Sequence, residues 1–494
     1  MPLNASAPPT SELPASSYRP AGRSARADRS AADWRTGGPA SRRSRRSRRS
    51  TPHRPGPAPR HGIADLLALL AGIGFGATMA TEIANESQAT LMAPGGLLSA
   101  VGRLAGFGGA YLMLIMIVLI ARLPWLERSV GQDRLVRWHR RVAPWALGLI
   151  IVHVITITLG YAAATRVGAW HELWLFMTSY RDMLAAAAGF TLLMLAGAAS
   201  VRAARRRMKY ETWWIVHLYI YLGLALAFAH QILVGVPFLN HPLTTALWIA
   251  VWSATAGLVL VYRVGLPIAR SLRHQLRVVE VRPEGPGVVS IICQGRDLDR
   301  LAVSGGQFFM WRFLTRELWW HAHPFSLSAL PQPPYIRVTI KDLGDTTGTV
   351  ARLRPGTRVA IEGPYGAFTR HARSTDRVLL VGAGVGNTPL RALIEDLPDR
   401  ADVVVILRGS APEDLVLRDE IAALVRARGG RLHEVVGSRD RVRFDSRALR
   451  RLVPDIASRD VYVCGPDGFA AGVEAAAARL GVPDESFHRE AFDF

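Results

Sequence analysis

Six apolar segments, each close to 20 residues long, constrain this chain more than any other feature. They fall at roughly 62–82, 98–121, 140–162, 182–201, 212–235 and 243–266. A helix of about 20 residues spans the hydrocarbon core of a bilayer. Only helices and closed barrels satisfy their own backbone polar groups there. The expected fold class is a multidomain membrane protein that opens with an all-α six-helix bundle. With 494 residues and 49% hydrophobic content, wholesale disorder and collagen-like repeats are excluded.

Charge sets the expected topology. The net charge is +21, but it is unevenly spread. Residues 1–60 hold 13 Arg against three acids and include the run SRRSRRSRRS. This Pro-, Ser- and Arg-rich stretch is expected to be a disordered basic tail, too long and too basic for a signal peptide. It reads as a tail that fixes orientation, with binding to anionic lipid as the alternative. The second loop carries Arg122, Arg128, Arg134 and Arg137, and the fourth carries Arg202, Arg205, Arg206, Arg207 and Lys209. The first and fifth loops have no Lys or Arg. The positive-inside rule then puts the N-terminus, loops two and four, and everything after 266 in the cytoplasm of a multi-pass plasma-membrane protein. No basic stripe interleaves with aromatics on a foldable element, so no nucleic-acid partner is expected.

Four histidines sit within these segments or at their edges. His139 and His153 are 14 residues apart on the third, and His217 and His230 are 13 apart on the fifth. Ionisable residues inside a membrane are costly and mark function. At 1.5 Å per residue, each helix separates its two histidines by about 20 Å. Facing helices would offer two stacked His–His pairs, which suits two flat macrocycles with bis-imidazole iron. A bare zinc needs three or four ligands at one point. Cys293 and Cys464, the only cysteines, support no zinc or iron–sulfur framework. Fourteen residues fall roughly 40° short of four turns, but 13 miss by about 140°. A π-bulge near Gly223 is therefore expected in the fifth helix.

After 266 the texture changes. RVVEVRP, VVSIICQ, YIRVTIK and TRVAIEGPYG read as strands of an antiparallel barrel. From Arg377 the order becomes strand, Gly-rich turn, helix, strand, which reads as a parallel α/β sheet. The expected domains are the tail 1–60, a bundle 61–268, a barrel 269–373 and an α/β unit 374–494. HPFSLSA supplies His323, Pro324, Phe325 and Ser326, with a hydroxyl beside an aromatic that can orient a flavin. KDLGDTTGTV supplies Lys341, Gly344, Thr346, Thr347 and Gly348, a set suited to a pyrophosphate. GAGVGNTP supplies Gly382, Gly384, Gly386, Asn387, Thr388 and Pro389 between a strand and a helix. There the backbone can approach phosphates and the helix N-terminus favours their charge. Arg408 ends the next strand where no acid waits for a ribose hydroxyl, which leans towards NADPH over NADH. Cys464, Gly465 and Pro466 follow a late strand, and the chain ends in EAFDF.

In this order, these motifs resemble the NADPH oxidase and ferric reductase superfamily over about residues 62–494. The resemblance implies a ferric-reductase-type bundle with two b haems, an FAD barrel and an NAD(P)H domain. His139 and His217 would ligate the inner haem, and His153 and His230 the outer. Residues 323–326, Lys341 and 344–348 would serve FAD. Residues 382–389, with Arg408, would serve the nucleotide. Cys464, Gly465 and Pro466 would lie by the nicotinamide, and Phe494 would shield the flavin. Arg103, early in the second helix, matches an arginine of the animal-type oxidases. Two positions depart from the family: His323 stands where many such barrels have Arg, and Ile157 stands where animal-type oxidases have a further His. The implied activity is electron transfer from cytosolic NADPH through FAD and haem to an outside acceptor, dioxygen or ferric chelate. A protein or quinone acceptor is the alternative, and a redox-sensing role without catalysis is the non-enzymatic one.

Overall fold

A computed structural model of the chain describes residues 61–494, apart from Asn85, Lys209, Pro237, Leu239, Asn240, Leu343, 439–443 and 492–494. The expected basic tail 1–60 and the aromatics Phe492 and Phe494 lie outside the described residues, and Thr346 is described through its backbone alone.

Among the described residues, six helices are long and apolar enough to cross a membrane. They are α1 (His61–Ala84), α2 (Gly96–Ile120), α3 (Gln132–Thr165), α4 (Met183–Ser200), α5 (Tyr210–Val234) and α6 (Pro242–Val259). α2 lies along α3, and α4 along α5. Glycine makes both approaches close. A Cβ on Gly102 would stand 2.7 Å from Ile157 Cγ1 of α3, and one on Gly106 would stand 2.6 Å from His153 Nδ1. A Cβ on Gly189 of α4 would stand 2.4 Å from the Gly223 carbonyl oxygen of α5. In lipid there is no hydrophobic drive between helices, so such small residues let backbones meet by van der Waals contact.

This corrects the expectation of a π-bulge near Gly223. α5 stays α-helical from Tyr210 to Val234, and Gly223 is there because α4 touches it. The π-helical turn lies instead at Leu260–Gly265, from which the sixth span runs on through Leu266–His274. Pro267 explains it. Proline has no N–H to donate to the preceding turn, and an extra residue in the turn accommodates the loss. α3 also holds a proline, Pro144, between its two histidines.

Gln275 alone separates this helix from β1, and a six-stranded antiparallel sheet begins. It consists of β1 (Leu276–Gly285), β2 (Val288–Gln294), β3 (Phe308–Phe313), β4 (His323–Ser326), β5 (Tyr335–Lys341) and β6 (Arg358–Tyr365), in spatial order 4-3-6-1-2-5. A bridge from Leu327 to Val338 joins the two edges and closes the barrel. On β3 the period of two is plain: Phe309, Trp311 and Phe313 are fully buried, while the residues between them are not. Arg122, in the loop after α2, lies over the Tyr365 ring at 4.5 Å. The Arg-rich second loop therefore sits at the barrel end of the bundle.

The α/β unit follows. β7 (Arg377–Ala383), β8 (Asp402–Gly409), β9 (Arg431–Val436), β10 (Asp460–Gly465) and β11 (Phe487–Ala491) form an all-parallel sheet in order 11-10-7-8-9. Helices cover both faces, which gives two apolar cores and accounts for the fully apolar strands.

A buried ion cluster holds the barrel against this unit. Arg337 of β5, fully buried, forks onto both oxygens of Glu420 at 2.7 Å each. Arg391 shares Glu420 at 2.9 Å and also pairs with Glu395, which accepts the Leu330 N–H at 2.9 Å. Burial pushes the Glu420 carboxyl up, but the two guanidinium groups outweigh it, so it lies below the usual range.

Candidate functional site

The four histidines meet in pairs. The rings of His139 and His217 have centroids 6.3 Å apart, and those of His153 and His230 are 6.4 Å apart. On a regular helix, His217 and His230 leave α5 about 70° to either side of the line to α3. Each ring nevertheless meets its partner on α3.

The ring nitrogens are committed in a consistent way. His139 Nδ1 faces the Met116 carbonyl at 3.2 Å, and His153 Nδ1 faces the Gly102 carbonyl at 2.7 Å. A carbonyl only accepts, so each Nδ1 carries the proton and each Nε2 is left with its lone pair. His217 Nδ1 is 3.1 Å from Ser200 Oγ, which also takes the Trp213 indole N–H, and the Trp213 ring stacks on His217. Such outer partners fix the orientation of metal-binding imidazoles. His230 Nδ1 is buried without a partner among the described residues.

These distances fit one metal ion between each pair. A first-row metal holds imidazole nitrogen at about 2.0–2.1 Å, and with the ring centroid roughly 1.1 Å further back, two opposed rings stand about 6.3 Å apart. Among the described residues, no three His, Cys, Asp or Glu converge on one point. A cavity of about 390 Å³ opens beside His153 and His230. Arg103 lines it, bonded to Glu82 at 2.8 Å and to Glu86 at 2.9 Å. Arg103 is thus paired rather than reaching for water. The sequence reading missed Glu82, although an acid at the end of an apolar segment is itself a signal.

On the barrel, β4 carries HPFS. The rings of His323 and Phe325 stack in parallel at 5.4 Å. Burial, then His321 and Arg312, push the His323 pKa down to about 4, so the ring is neutral at pH 7. Among the described residues, His323 Nε2 and Ser326 Oγ are buried without hydrogen-bond partners. Beyond Lys341, at the end of β5, Gly344 takes φ +134 and opens α7 (Asp345–Val350). The Gly344 N–H donates to Asp342 at 3.1 Å, and Thr347 donates to the Gly344 carbonyl at 3.2 Å. Gly348 packs beside Asp342 with no room for more than a Cβ.

In the α/β unit, Gly384 takes φ +58 in a tight turn, Gly384–Gly386, that leads into α8 (Asn387–Asp396). A Cβ on Gly386 would stand 2.3 Å from the Cys464 carbonyl oxygen, and one on Gly382 would stand 2.2 Å from Asn387 Oδ1. The glycines thus bring the GAGVGNTP turn against the Cys464–Gly465–Pro466 end of β10. Among the described residues, Thr388 Oγ1 is buried without a partner beside Pro389, at the start of α8.

Two expected site residues are turned elsewhere. The Cys464 thiol is fully buried in the core with Leu380, Leu390 and Leu407, and burial pushes its pKa up. At this point the backbone, not the thiol, faces the Gly-rich turn. The Arg408 guanidinium donates to the carbonyls of Gly409 and Val435. β8 and β9 pair in parallel across it, and the side chain is buried there.

Three family models match in succession. They are a ferric reductase like transmembrane component over residues 105–228, an FAD-binding domain over 277–369 and an oxidoreductase NAD-binding domain over 380–475. Among curated proteins, the chain is 30% identical over 237 residues to the stachydrine N-demethylase reductase subunit Stc4 of Rhizobium meliloti (strain 1021). That match covers 44% of this chain and 66% of the relative. It is 29% identical to ferredoxin–NADP reductase B of Sorangium cellulosum (strain So ce56), covering 44% of this chain and 97% of that protein. It is also 28% identical to respiratory burst oxidase homolog protein G of Arabidopsis thaliana, covering 26% and 18%. The chain spans about half the length of several other reductases it matches. A solved flavohaem-like FAD/NAD-binding domain from Vibrio cholerae aligns with 44% of this chain at 22% identity and a TM-score of 0.39. With the transmembrane component, the FAD-binding domain and the NAD-binding domain in one chain, this is a membrane oxidoreductase that belongs to the ferric reductase and NADPH oxidase superfamily.

Proposed function

We propose that the chain carries electrons from cytosolic NADPH across the plasma membrane to an acceptor outside, dioxygen before others, with NADH as a second donor. Bound FAD supplies hydride acceptance and one-electron release, and two stacked b haems supply the path across the bilayer. The observation that carries this reading is the pair of His–His distances, with three of the four Nδ1 atoms held by oxygen partners. His139 with His217, and His153 with His230, hold the two irons. With both histidines of the outer pair committed to the iron, the acceptor would react beside that pair, in the cavity that Arg103 lines. Arg103, fixed by Glu82 and Glu86, shapes the wall of that cavity. In a cell negative inside, outward electron movement is downhill by about 2.3 kcal/mol per 100 mV.

On the cytoplasmic side, Ser326 orients the flavin ring and His323 donates or accepts as a neutral ring. Lys341 and the Gly344–Gly348 turn hold the pyrophosphate. Gly382, Gly384 and Gly386 let the nucleotide backbone close on α8, where Thr388 is available. Gly465 and Pro466 form the floor beside the nicotinamide.

The test is spectroscopic. The full chain is purified in detergent with added FAD and reduced anaerobically by NADPH, then mixed with oxygenated buffer while the Soret band is followed. Rapid reoxidation with superoxide release is expected. Reoxidation only by a ferric chelate, or only by a protein or quinone, reassigns the acceptor. Failure of NADPH to reduce haem rejects the electron path.

Gly106→Val offers a second check. Its methyl groups enter the space of the His153 ring. Loss of a ligand's orientation costs about 10–100-fold in metal affinity. One of two haems is expected to be lost at low haem supply, with helix content unchanged by circular dichroism.

A further inference from the structure

A second cavity, of about 300 Å³, lies where the sixth span meets the barrel. Arg122, Arg270, Arg273 and Arg300 line it with Tyr262 and Tyr365, and no Asp or Glu is among its lining residues. None of the residues assigned above to FAD, nucleotide or metal lines it. Two of the charges are compensated at its margin: Arg122 pairs with Glu127 at 3.4 Å and Arg273 with Asp297 at 3.6 Å. Arg270 donates to the Gly363 carbonyl and has no ion pair, and neither does Arg300, among the described residues. An anion with several oxygens is the ligand such a pocket fits.

Its height on the molecule says where that anion comes from. The sixth span is 33 residues long, Pro242–His274, which is about 50 Å of helix. The hydrocarbon core takes only about 30 Å, so the last dozen residues run on into the headgroup layer. Along that stretch Val261, Val264, Ile268 and Leu272 form an exposed apolar stripe, between 46% and 68% accessible. Tyr262, Leu266, Arg270 and Arg273 turn the other way, into the pocket. The end of the stripe nearest the bilayer, Val261 and Val264, stays suited to acyl chains, while Arg270 and Arg273, two turns further along, stand at phosphate depth.

We propose that this pocket is a binding site for the phosphate headgroup of an anionic phospholipid of the inner leaflet. The lipid would sit between the loop after α2, the sixth span and the Tyr365 end of β6, with its tails along the apolar stripe. It would thereby join the bundle to the barrel through a molecule of membrane.

The test is native mass spectrometry of the full chain, delipidated in detergent and titrated with phosphatidylglycerol. The variant is R273Q/R300Q, with R277Q as a control outside the pocket. A basic side chain beside an anionic surface is usually worth about a factor of five, so the double variant is expected to retain the lipid about 30-fold more weakly. The control is expected to match wild type, and phosphatidylcholine to bind neither. Equal retention by wild type and the double variant overturns the proposal. Displacement of the lipid by millimolar inorganic phosphate assigns the pocket to a soluble phosphate and also overturns it. So does loss of FAD absorbance in the double variant, which would place the pocket in the flavin site.

Discussion

His230→Leu is expected to yield a protein with one haem per chain instead of two, still reducible by NADPH but unable to pass electrons on. His230 Nε2 has no substitute nearby, because among the described residues no third donor converges on either pair. Loss of an outer partner alone costs up to about 100-fold in metal affinity, and loss of the ligand costs more. External acceptor reduction should therefore fall by more than that factor, while NADPH-driven reduction of a soluble dye, which needs only the barrel and α/β unit, is unchanged. His217→Leu should also leave one haem, but one that NADPH no longer reduces. The two variants thus share a stoichiometry and differ in connectivity. Two haems in His230→Leu, by pyridine haemochrome assay, would rule out the pairing.

Arg337→Ala is expected to cost about 3–5 kcal/mol, the usual result of removing one partner from a buried ion pair. The cost arises because Glu420, facing the emptied site, keeps only Arg391. At roughly 2–4 °C per kcal/mol for a unit of this size, flavin release on heating should come about 10 °C earlier. The pH dependence has a definite sign. The Glu420 pKa is depressed in the folded protein. Its contribution is therefore present above the ordinary carboxylate value and is lost as pH falls through the folded one. The gap between wild type and variant should narrow in acid. A gap that widens on acidification would show that the cluster is not held by Glu420 as an anion.

The division into bundle, antiparallel sheet and parallel sheet was legible because each has its own period. Runs of about 20 apolar residues, the alternation in FFMWRF and the continuous apolar stretch RVLLV leave little choice. The pairing of the four histidines followed from two spacings. The helical irregularity does not lie where the 13-residue spacing puts it, because an imidazole can leave from the flank of a regular helix. Pro267 is the local signal for the π-helical turn that precedes it. Arg337, Glu420 and Arg391 were invisible, since 83 residues separate the first two and nothing local marks a pair made across domains. Cys464 and Arg408 were placed by strand-end position alone, and position cannot say towards which face a side chain turns.

The join at Gln275 has a consequence for how such chains change over time. Helix and strand meet there with one intervening residue. A single insertion in the helix just before it would swing everything downstream by about 100° and move it by about 1.5 Å. The barrel would then face lipid or empty solvent with the wrong side. Loops elsewhere can drift in length at small cost. This joint cannot, so its residue count should be held as strictly as any side chain that touches a cofactor, even where the amino acids filling it vary.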